Sequence, residues 1–209
     1  MFVKTIPVGE LETNCYVVAP SDAPDCPAII IDPGAESEKI KLFLDKSCLK
    51  PIKIVLTHSH YDHIGGAKKL RDALKIQIAI HALDAPFLEN PMANFSAMFG
   101  EECSFNADEL LNDGDKIQLG DLILEIIHTP GHTEGGISIK AGSDPVRLFC
   151  GDLIFKMGIG RTDLPGGNYE VLVNSIKRLL DFPDDTILYP GHGPKTTLAS
   201  ERGFLRGLK

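Results

Sequence analysis

Apolar residues recur along this chain with the two spacings that distinguish β-strands from amphipathic helices. Short apolar or alternating runs predict strands at 1–7, 14–19, 28–31, 52–56, 76–80, 116–119, 122–128, 136–140, 146–150 and 186–189. Apolar residues three and four positions apart predict helices at 37–47, 64–74, 168–181 and 197–206. The segment 90–110 has no clear period, so we interpret it as a partly helical excursion at the rim of a site.

The order of these elements indicates the fold class. Strands followed by helices occur twice, which predicts an α+β arrangement of two β-sheets with helices outside. No low-complexity linker separates the two halves. We therefore expect residues 1–209 to form a single domain with internal pseudo-symmetry.

The composition excludes several classes of protein. Of the 209 residues, 43% are hydrophobic and 24% are charged, so the chain is neither disordered nor a coiled coil. No apolar run approaches the roughly 20 residues of a membrane span. The first residues lack the apolar centre of a secretory signal, so we expect a cytoplasmic protein with no membrane partner.

Charge and cysteine content narrow the partners further. The net charge is −8 and no basic stripe is visible, which argues against nucleic acid as a partner. The chain has five cysteines, an odd number, and no CxxC pair. This pattern predicts buried thiols and not disulfides or a zinc site made of thiolates. The oligomeric state stays open.

Three of the seven histidines lie within six residues, in the sequence HSHYDH at 58–63. The motif directly follows the predicted strand 52–56. In extended backbone alternate residues point the same way, so His58 and His60 can share one metal ion. The turn that follows directs Asp62 and His63 to another side, where they can hold a second metal ion.

Three further polar residues follow apolar strands, and each lies beside a glycine: His132, Asp152 and His192. A single histidine in such a place is more often an ordinary loop residue than a ligand. Three such residues, added to the HxHxDH motif, favour a metal site.

This order of motifs resembles the metallo-β-lactamase superfamily: HxHxDH, a later histidine, a later aspartate and a final histidine in GHG. Within the superfamily, Gly158–Asp163 (GIGRTD) and Tyr189–Pro194 (YPGHGP) are similar to the glyoxalase II, or hydroxyacylglutathione hydrolase, branch. The resemblance covers nearly the whole chain. It implies a four-layer αβ/βα sandwich of two mixed β-sheets with helices outside and the metals at one edge.

The resemblance also implies a ligand set for two divalent metal ions, carried over position by position. The first metal would be held by His58, His60 and His132, the second by Asp62, His63 and His192, and Asp152 would bridge both together with a water. Nitrogen and oxygen ligands suit zinc, with iron or manganese as alternatives. Asp32 would be the family's early aspartate beside the ligands, although an ordinary turn residue fits the sequence equally well. His81 and His128 fall outside the pattern, and we expect them to have structural roles or to contact the metal ligands without binding metal.

The implied activity is hydrolysis of a thioester, such as S-lactoylglutathione, by a metal-bridging hydroxide, with Asp62 and Asp152 as catalytic residues. Arg161 stands where the family contacts glutathione, but a surface ion pair with Asp163 is equally compatible with the sequence. About 17 residues follow His192. This is too few for the family's C-terminal glutathione-binding helical domain, so the short form without that domain is expected. Pro194 replaces a tyrosine that the family often has there, which leaves the thiol carrier open.

Two other functions remain as alternatives. Persulfide dioxygenases resemble this sequence and share its GRTD segment, and their single iron would be held here by His58, His132 and Asp152. The third is a non-catalytic, metal-stabilised binding protein whose partner surface is the 90–110 segment. Structural zinc sites usually have four protein ligands, so seven ligands and a water favour an enzyme.

Overall fold

The computed structural model describes residues 1–99 and 101–208, and its framework is two six-stranded β-sheets. The strands of the first sheet follow the order of the chain: β1 (Phe2–Val8), β2 (Thr13–Ala19), β3 (Pro27–Ile31), β4 (Lys50–Val55), β5 (Gln77–His81) and β6 (Glu109–Leu111). The first three strands pair antiparallel, and β3 to β6 pair parallel. The sheet is therefore mixed, as the resemblance implies.

The second half of the chain builds the second sheet and a small hairpin. Its strands are β7 (Lys116–Leu119), β8 (Leu122–His128), β9 (Ile137–Ala141), β10 (Arg147–Gly151), the hairpin strands β11 (Ile154–Phe155) and β12 (Gly158–Ile159), then β13 (Ile187–Pro190) and β14 (Thr196–Thr197). The spatial order of the sheet is β14-β13-β10-β9-β8-β7. Only the β10–β13 pair is parallel among these neighbours, so this sheet is also mixed.

Helices cover the outer face of each sheet. They are α1 (Ser37–Ser47), α2 (Tyr61–Ile64), α3 (Ala67–Leu74), α4 (Ala85–Leu88), α5 (Tyr169–Leu179) and α6 (Leu198–Arg206), with a 3-10 turn at Ser96–Met98. Residues of α1 and α3 pack on the first sheet, and residues of α5 and α6 pack on the second. Among the described residues, no helix is both long and apolar enough to cross a membrane.

The core has three layers: one between the outer helices and the first sheet, one between the two sheets, and one between the second sheet and its helices. β3 borders the first two layers. Ile29 and Ile31 pack toward the second sheet, whereas Ala28 and Ile30 pack toward the helices. This two-sided burial explains why the sequence of β3 is continuously apolar and not alternating. The layers are therefore helix, sheet, sheet and helix, which confirms the predicted α+β four-layer sandwich.

The predicted elements are found with small shifts at their ends, and one prediction was wrong at its start. The helix expected over 64–74 begins at Ala67, because Gly66 N–H donates to Pro33 O (2.8 Å) and the chain leaves the helical path after the single turn of α2. The elements that the sequence did not predict are two to four residues long: β6, β11, β12, β14, α2 and α4. Gly100, within the predicted 90–110 excursion, and Lys209 lie outside the described residues.

Close packing of α5 against the loop before His132 gives a testable stability prediction. A Cβ added at Gly131 would lie 2.3 Å from the backbone of Leu172, and Gly131 has φ +130°. We expect Gly131→Ala to lower the free energy of unfolding by about 1–3 kcal/mol through overpacking. Urea denaturation of the metal-free protein measures the change. Gly203→Ala is the control, because nothing lies within 4 Å of that position; equal stability of the two variants would contradict the prediction.

Candidate metal centre

The polar residues singled out in the sequence all lie at one edge of the sandwich. Asp32 follows β3, the 58–63 motif follows β4, and His132, Asp152 and His192 follow β8, β10 and β13. Within each sheet these strands run in the same direction, as their pairing shows, and the carboxyl ends from the two sheets meet at the ligand groups. Ligand sites of α/β sheets lie at carboxyl ends of strands for this reason.

The structure brings all seven predicted ligands together. They form three overlapping groups, and within each group one ligand atom per residue lies within 4.8 Å of the others: His58 with His60 and His132, His58 with His63 and Asp152, and Asp62 with His63 and His192. The first and third groups match the two ligand sets that the resemblance implies. The second group shows that Asp152 lies close to ligands of both sets.

Asp152 lies between the two ligand sets. Its Oδ1 is 3.3 Å from His63 Nε2, and its Oδ2 is 3.6 Å from His132 Nε2 and 3.7 Å from His192 Nε2. Tetrahedral coordination with bonds of about 2.0–2.1 Å places neighbouring ligand atoms roughly 3.4 Å apart. The separations therefore fit ligands of metal ions and are too long for good hydrogen bonds.

Three buried polar atoms at this centre have no hydrogen-bond partner among the described residues: His58 Nε2, His63 Nε2 and Asp152 Oδ1. Burying such atoms unpaired is unfavourable by about 1–3 kcal/mol each. Metal coordination would satisfy all three at once. The cluster is typical of a two-metal site, and its donor set of nitrogen and oxygen fits zinc, iron or manganese.

Hydrogen bonds on the far side of three histidines fix the orientation of their rings. His63 Nδ1 donates to Asp32 Oδ2 (2.9 Å), and His132 Nδ1 donates to the carbonyl oxygen of Arg161 (2.8 Å). His192 Nδ1 donates to the carbonyl oxygen of Leu11 (3.0 Å). Because these oxygens only accept, each Nδ1 carries a proton, so Nε2 is the ring nitrogen that faces the centre and that a metal would use.

The environment also sets the charge states of the side chains at the centre. Burial and the neighbouring histidines lower the pKa of His60 to about 3 and hold that of His58 well below its usual value. Both rings are therefore neutral at pH 7, which is the form that binds a metal. Although burial opposes both effects, the neighbouring carboxylates raise the pKa of His63 and of His192, and these two rings in turn lower the pKa of Asp62, so this carboxyl is ionised. A metal bound there would displace a proton from the Nε2 of each ring.

Arg161 contributes its backbone to the centre, as described above, while its side chain points to Asp163. The guanidinium makes two hydrogen bonds of 2.7 Å to that carboxylate, and 61% of the side chain is exposed. The structure thus contains the surface ion pair that the sequence allowed. Contact of Arg161 with a substrate stays a prediction.

His81 and His128 lie outside the three ligand groups and stack on each other. Their ring centroids are 4.1 Å apart with an interplanar angle of 9°. His128 Nε2 donates to the carbonyl oxygen of Glu134 (2.9 Å). These contacts suit the structural roles expected of the two residues.

Two neighbours of the centre were not found by sequence reasoning. Asp84 is a buried carboxylate that contacts the backbone of two ligand-bearing loops. The ring of Phe95 lies 5.1 Å from that of His60, and Tyr61 N–H donates to Asn94 O (2.9 Å), so the excursion touches the ligand motif. The position of Asp84 just after a strand was an available signal. Phe95 lies in the 90–110 segment expected at the rim of the site, but no pattern pointed to its contact with His60.

This fold and this centre define a class of protein, the metallo-hydrolases with the metallo-β-lactamase fold. The chain belongs to the metallo-beta-lactamase superfamily, whose model matches residues 8–192. The match confirms the predicted superfamily and fold.

Relatives from bacteria match the chain over nearly its full length. The probable metallo-hydrolase YqgX of Bacillus subtilis is 36% identical over 210 residues, which cover 98% of this chain and 97% of that protein. Hydroxyacylglutathione hydrolase GloC of Haemophilus influenzae is 35% identical over 206 residues, which cover 97% of this chain and 95% of that protein. Membership of a metallo-hydrolase family supports an enzyme.

Solved structures show the same fold. The B3 metallo-beta-lactamase BLEG-1 has a TM-score of 0.91 at 37% identity, covering 99% of this chain and 100% of that one. TTHA1623 in a di-iron-bound form has a TM-score of 0.84 at 34% identity, covering 96% and 97%. ETHE1 from Myxococcus xanthus has a TM-score of 0.77 at 28% identity, covering 100% and 84%.

Proposed function

We propose that this protein hydrolyses a thioester, such as S-lactoylglutathione or a related acyl thioester, with two divalent metal ions. The observation that carries the proposal is the placement of Asp152 between two complete ligand sets. A centre of this kind suits hydrolysis without a covalent intermediate. The likeness to GloC of H. influenzae supports a thioester as substrate.

The residues that would hold the metals are the seven of the predicted set: His58, His60, His132, Asp62, His63, His192 and Asp152. Two such ions would supply a hydroxide at neutral pH and would stabilise the negative charge that develops on the carbonyl oxygen of the substrate. Zinc is proposed first, with iron or manganese as alternatives.

The chain's own side chains position the reacting groups. Asp62 Oδ2 accepts a hydrogen bond from the Thr13 hydroxyl (3.0 Å) and lies 3.1 Å from His192 Nε2, so its carboxylate is held in one orientation beside the centre. We propose that Asp62 orients the attacking water as well as binding metal, and that Asp152 is the second catalytic carboxylate. The leaving thiolate needs no strong general acid.

The thiol of Cys150 is not suited to act as a nucleophile at the centre. Cys150 is near Asp152 in sequence, but its thiol is buried and contacts the carbonyl oxygens of Ile154 and Tyr189. Burial raises the pKa of Cys150 to about 12, so it is a thiol at neutral pH.

Aromatic rings flank the centre on two sides. Phe95 packs on His60, and the ring of Phe155 lies 6.1 Å from that of His192. We propose that these rings contact apolar parts of a small-molecule substrate. The net charge of −8 does not favour nucleic acid. We propose that the protein is located in the cytoplasm.

Replacement of Arg161 tests whether glutathione is the thiol carrier of the substrate. If the guanidinium contacts a carboxylate of the carrier, Arg161→Gln removes one charged hydrogen bond, worth about 1.5–3 kcal/mol. We expect KM for S-lactoylglutathione to rise roughly tenfold or more, with kcat little changed. Lys156→Gln is the control for loss of one positive charge nearby. An unchanged KM in Arg161→Gln would contradict a contact with the substrate and would leave the ion pair with Asp163 as the role of the Arg161 side chain.

Metal analysis of the purified protein, paired with a panel of thioesters, tests the proposed function. Two metal ions per chain and cleavage of at least one thioester are expected. One iron per chain, with oxygen consumption on glutathione persulfide and no thioester cleavage, would overturn the proposal.

That second outcome defines the second candidate function, a mononuclear iron persulfide dioxygenase. The structural likeness to ETHE1 from M. xanthus is compatible with it. His132 Nε2 and Asp152 Oδ2 lie 3.6 Å apart, and His58 forms a ligand group with His132 and another with Asp152. The complete second ligand set makes the two-metal hydrolase the better-supported choice.

A further inference from the structure

Asp84 is a buried carboxylate at the same edge of the sheet that is not a member of the ligand groups. It follows β5, the strand beside β4, and its exposed fraction is 0%. An aspartate two residues before Pro86 is typical of a helix N-cap. Its side chain nevertheless makes no capping hydrogen bond to α4, so the carboxylate serves another purpose.

Each oxygen of Asp84 accepts a hydrogen bond from a different loop. Oδ2 accepts from the backbone N–H of Ser59 (3.0 Å), which lies between His58 and His60. Oδ1 accepts from the backbone N–H of Gly135 (2.7 Å), three residues after His132. One carboxylate therefore joins the two loops that together carry the first ligand set.

Asp84 and the loop that contains Gly135 are in tight van der Waals contact. A Cβ added at Gly135 would lie 2.5 Å from Asp84 N and 2.7 Å from its Oδ1. The backbone of the 132–135 loop thus lies directly against Asp84, and a shift of either would move the other. The second ligand set is supported elsewhere, by Asp32, by Thr13 and by the carbonyl oxygen of Leu11.

We infer that Asp84 is a positioning residue for the first metal ion, because it fixes the distance between the 58–60 loop and His132. It touches neither the ion nor the substrate. The inference rests on the ligand sets of the proposed function but not on the thioester substrate. It predicts that loss of the Asp84 carboxylate weakens the first metal site and spares the second.

Asparagine is the informative replacement. It keeps the size of the side chain but offers one acceptor oxygen, so its amide group would face one of the two N–H donors. One of the two loops then loses its hydrogen bond to residue 84, while the other loop keeps its hydrogen bond. Changes in groups that orient metal ligands typically lower metal affinity by about 10- to 100-fold.

The test measures Zn²⁺ affinity by competition with a chromophoric chelator in two backgrounds. His192→Ala weakens the second site and reports on the first, whereas His60→Ala does the reverse. We expect Asp84→Asn to lower Zn²⁺ affinity about 10- to 100-fold in the His192→Ala background. In the His60→Ala background, Zn²⁺ affinity is expected to be unchanged.

Asp108→Asn is the matched control, because Asp108 Oδ2 also accepts a backbone N–H, from Ile78 (2.8 Å), at the other end of β5. It should leave both affinities unchanged. Equal losses in the two backgrounds, or a loss no larger than that of Asp108→Asn, would overturn the inference. If Asp84→Asn does not fold, Gly135→Ala replaces it, with the same selective loss expected and the same results overturning it.

Zn²⁺ affinity can be measured without any substrate, so the test of the Asp84 role is independent of the test for thioester hydrolysis. A wild-type chain that binds two Zn²⁺ ions but cleaves no thioester would overturn the thioesterase proposal, while a selective effect of Asp84→Asn would still support the positioning role. A wild-type chain without affinity for Zn²⁺, Fe²⁺ or Mn²⁺ would overturn both.

Discussion

Asp152→Asn is expected to abolish thioester hydrolysis and to reduce the metal content below two ions per chain. The replacement keeps the shape of the side chain but removes the charge that lies between the two ligand sets. Loss of the several kcal/mol that metal ions contribute to transition-state stabilisation corresponds to about 10³-fold or more in kcat. Steady-state kinetics and metal analysis of the same preparation measure both effects.

Glu201→Gln is the matched control for this variant. Glu201 is also a buried carboxylate, and it accepts hydrogen bonds from the Thr196 hydroxyl (2.6 Å) and from Met157 N–H (2.8 Å). Its replacement by an amide should leave the metal content at two. Thioester hydrolysis that persists in Asp152→Asn at more than a tenth of the wild-type rate would contradict the proposed mechanism, since about tenfold is a loss of only 1.4 kcal/mol.

The second large effect is expected at Asp32, which is 1% exposed. Its carboxylate accepts hydrogen bonds from His63 Nδ1 (2.9 Å) and from Thr57 N–H (2.7 Å), so it orients a ligand of the second metal and fixes the start of the motif loop. We expect Asp32→Asn to lower Zn²⁺ affinity of the second site by about 10- to 100-fold. The free energy of unfolding should also fall, by about 3–5 kcal/mol, because a buried ion pair loses one partner.

Asp25→Asn controls for the backbone conformation at Asp32. Both aspartates have positive φ, 63° at Asp25 and 50° at Asp32, which asparagine also adopts. Asp25 differs in being exposed, with only a surface ion pair to Lys50. Zn²⁺ titration and urea denaturation of the metal-free protein should show no change for Asp25→Asn; equal effects of the two replacements would refute the role of Asp32.

Long and strongly patterned elements were predictable from the sequence because their burial is regular. β3 is apolar throughout since both of its faces are buried, and α5 carries one stripe with Leu172 and Ile176 in the core. The short strands β11 and β12 escaped prediction because two residues cannot show a period. The end of α2 depends on a hydrogen bond to Pro33, a partner about 30 residues away that no local pattern reveals.

The candidate centre was predictable where side chains carry the chemistry and not where backbone groups do. The HxHxDH motif and the three strand-end residues supplied the ligand set, and the structure brings those residues together. The supports of His132 and His192 are the carbonyl oxygens of Arg161 and Leu11, which any residue could offer. Asp84 has the right residue type, but its sequence context is equally that of a helix cap.

Each ligand set draws on both sheets. The motif after β4 in the first sheet supplies two ligands to each set, and the loops after β8 and β13 in the second sheet supply the third, His132 and His192. Metal ions held there would act as cross-links between chain segments that are 72 and 129 residues apart, from His60 to His132 and from His63 to His192. Closing such long loops restricts the unfolded chain more than closing short ones. The same ions that activate water would thereby clamp the two halves of the sandwich at this edge and slow their separation.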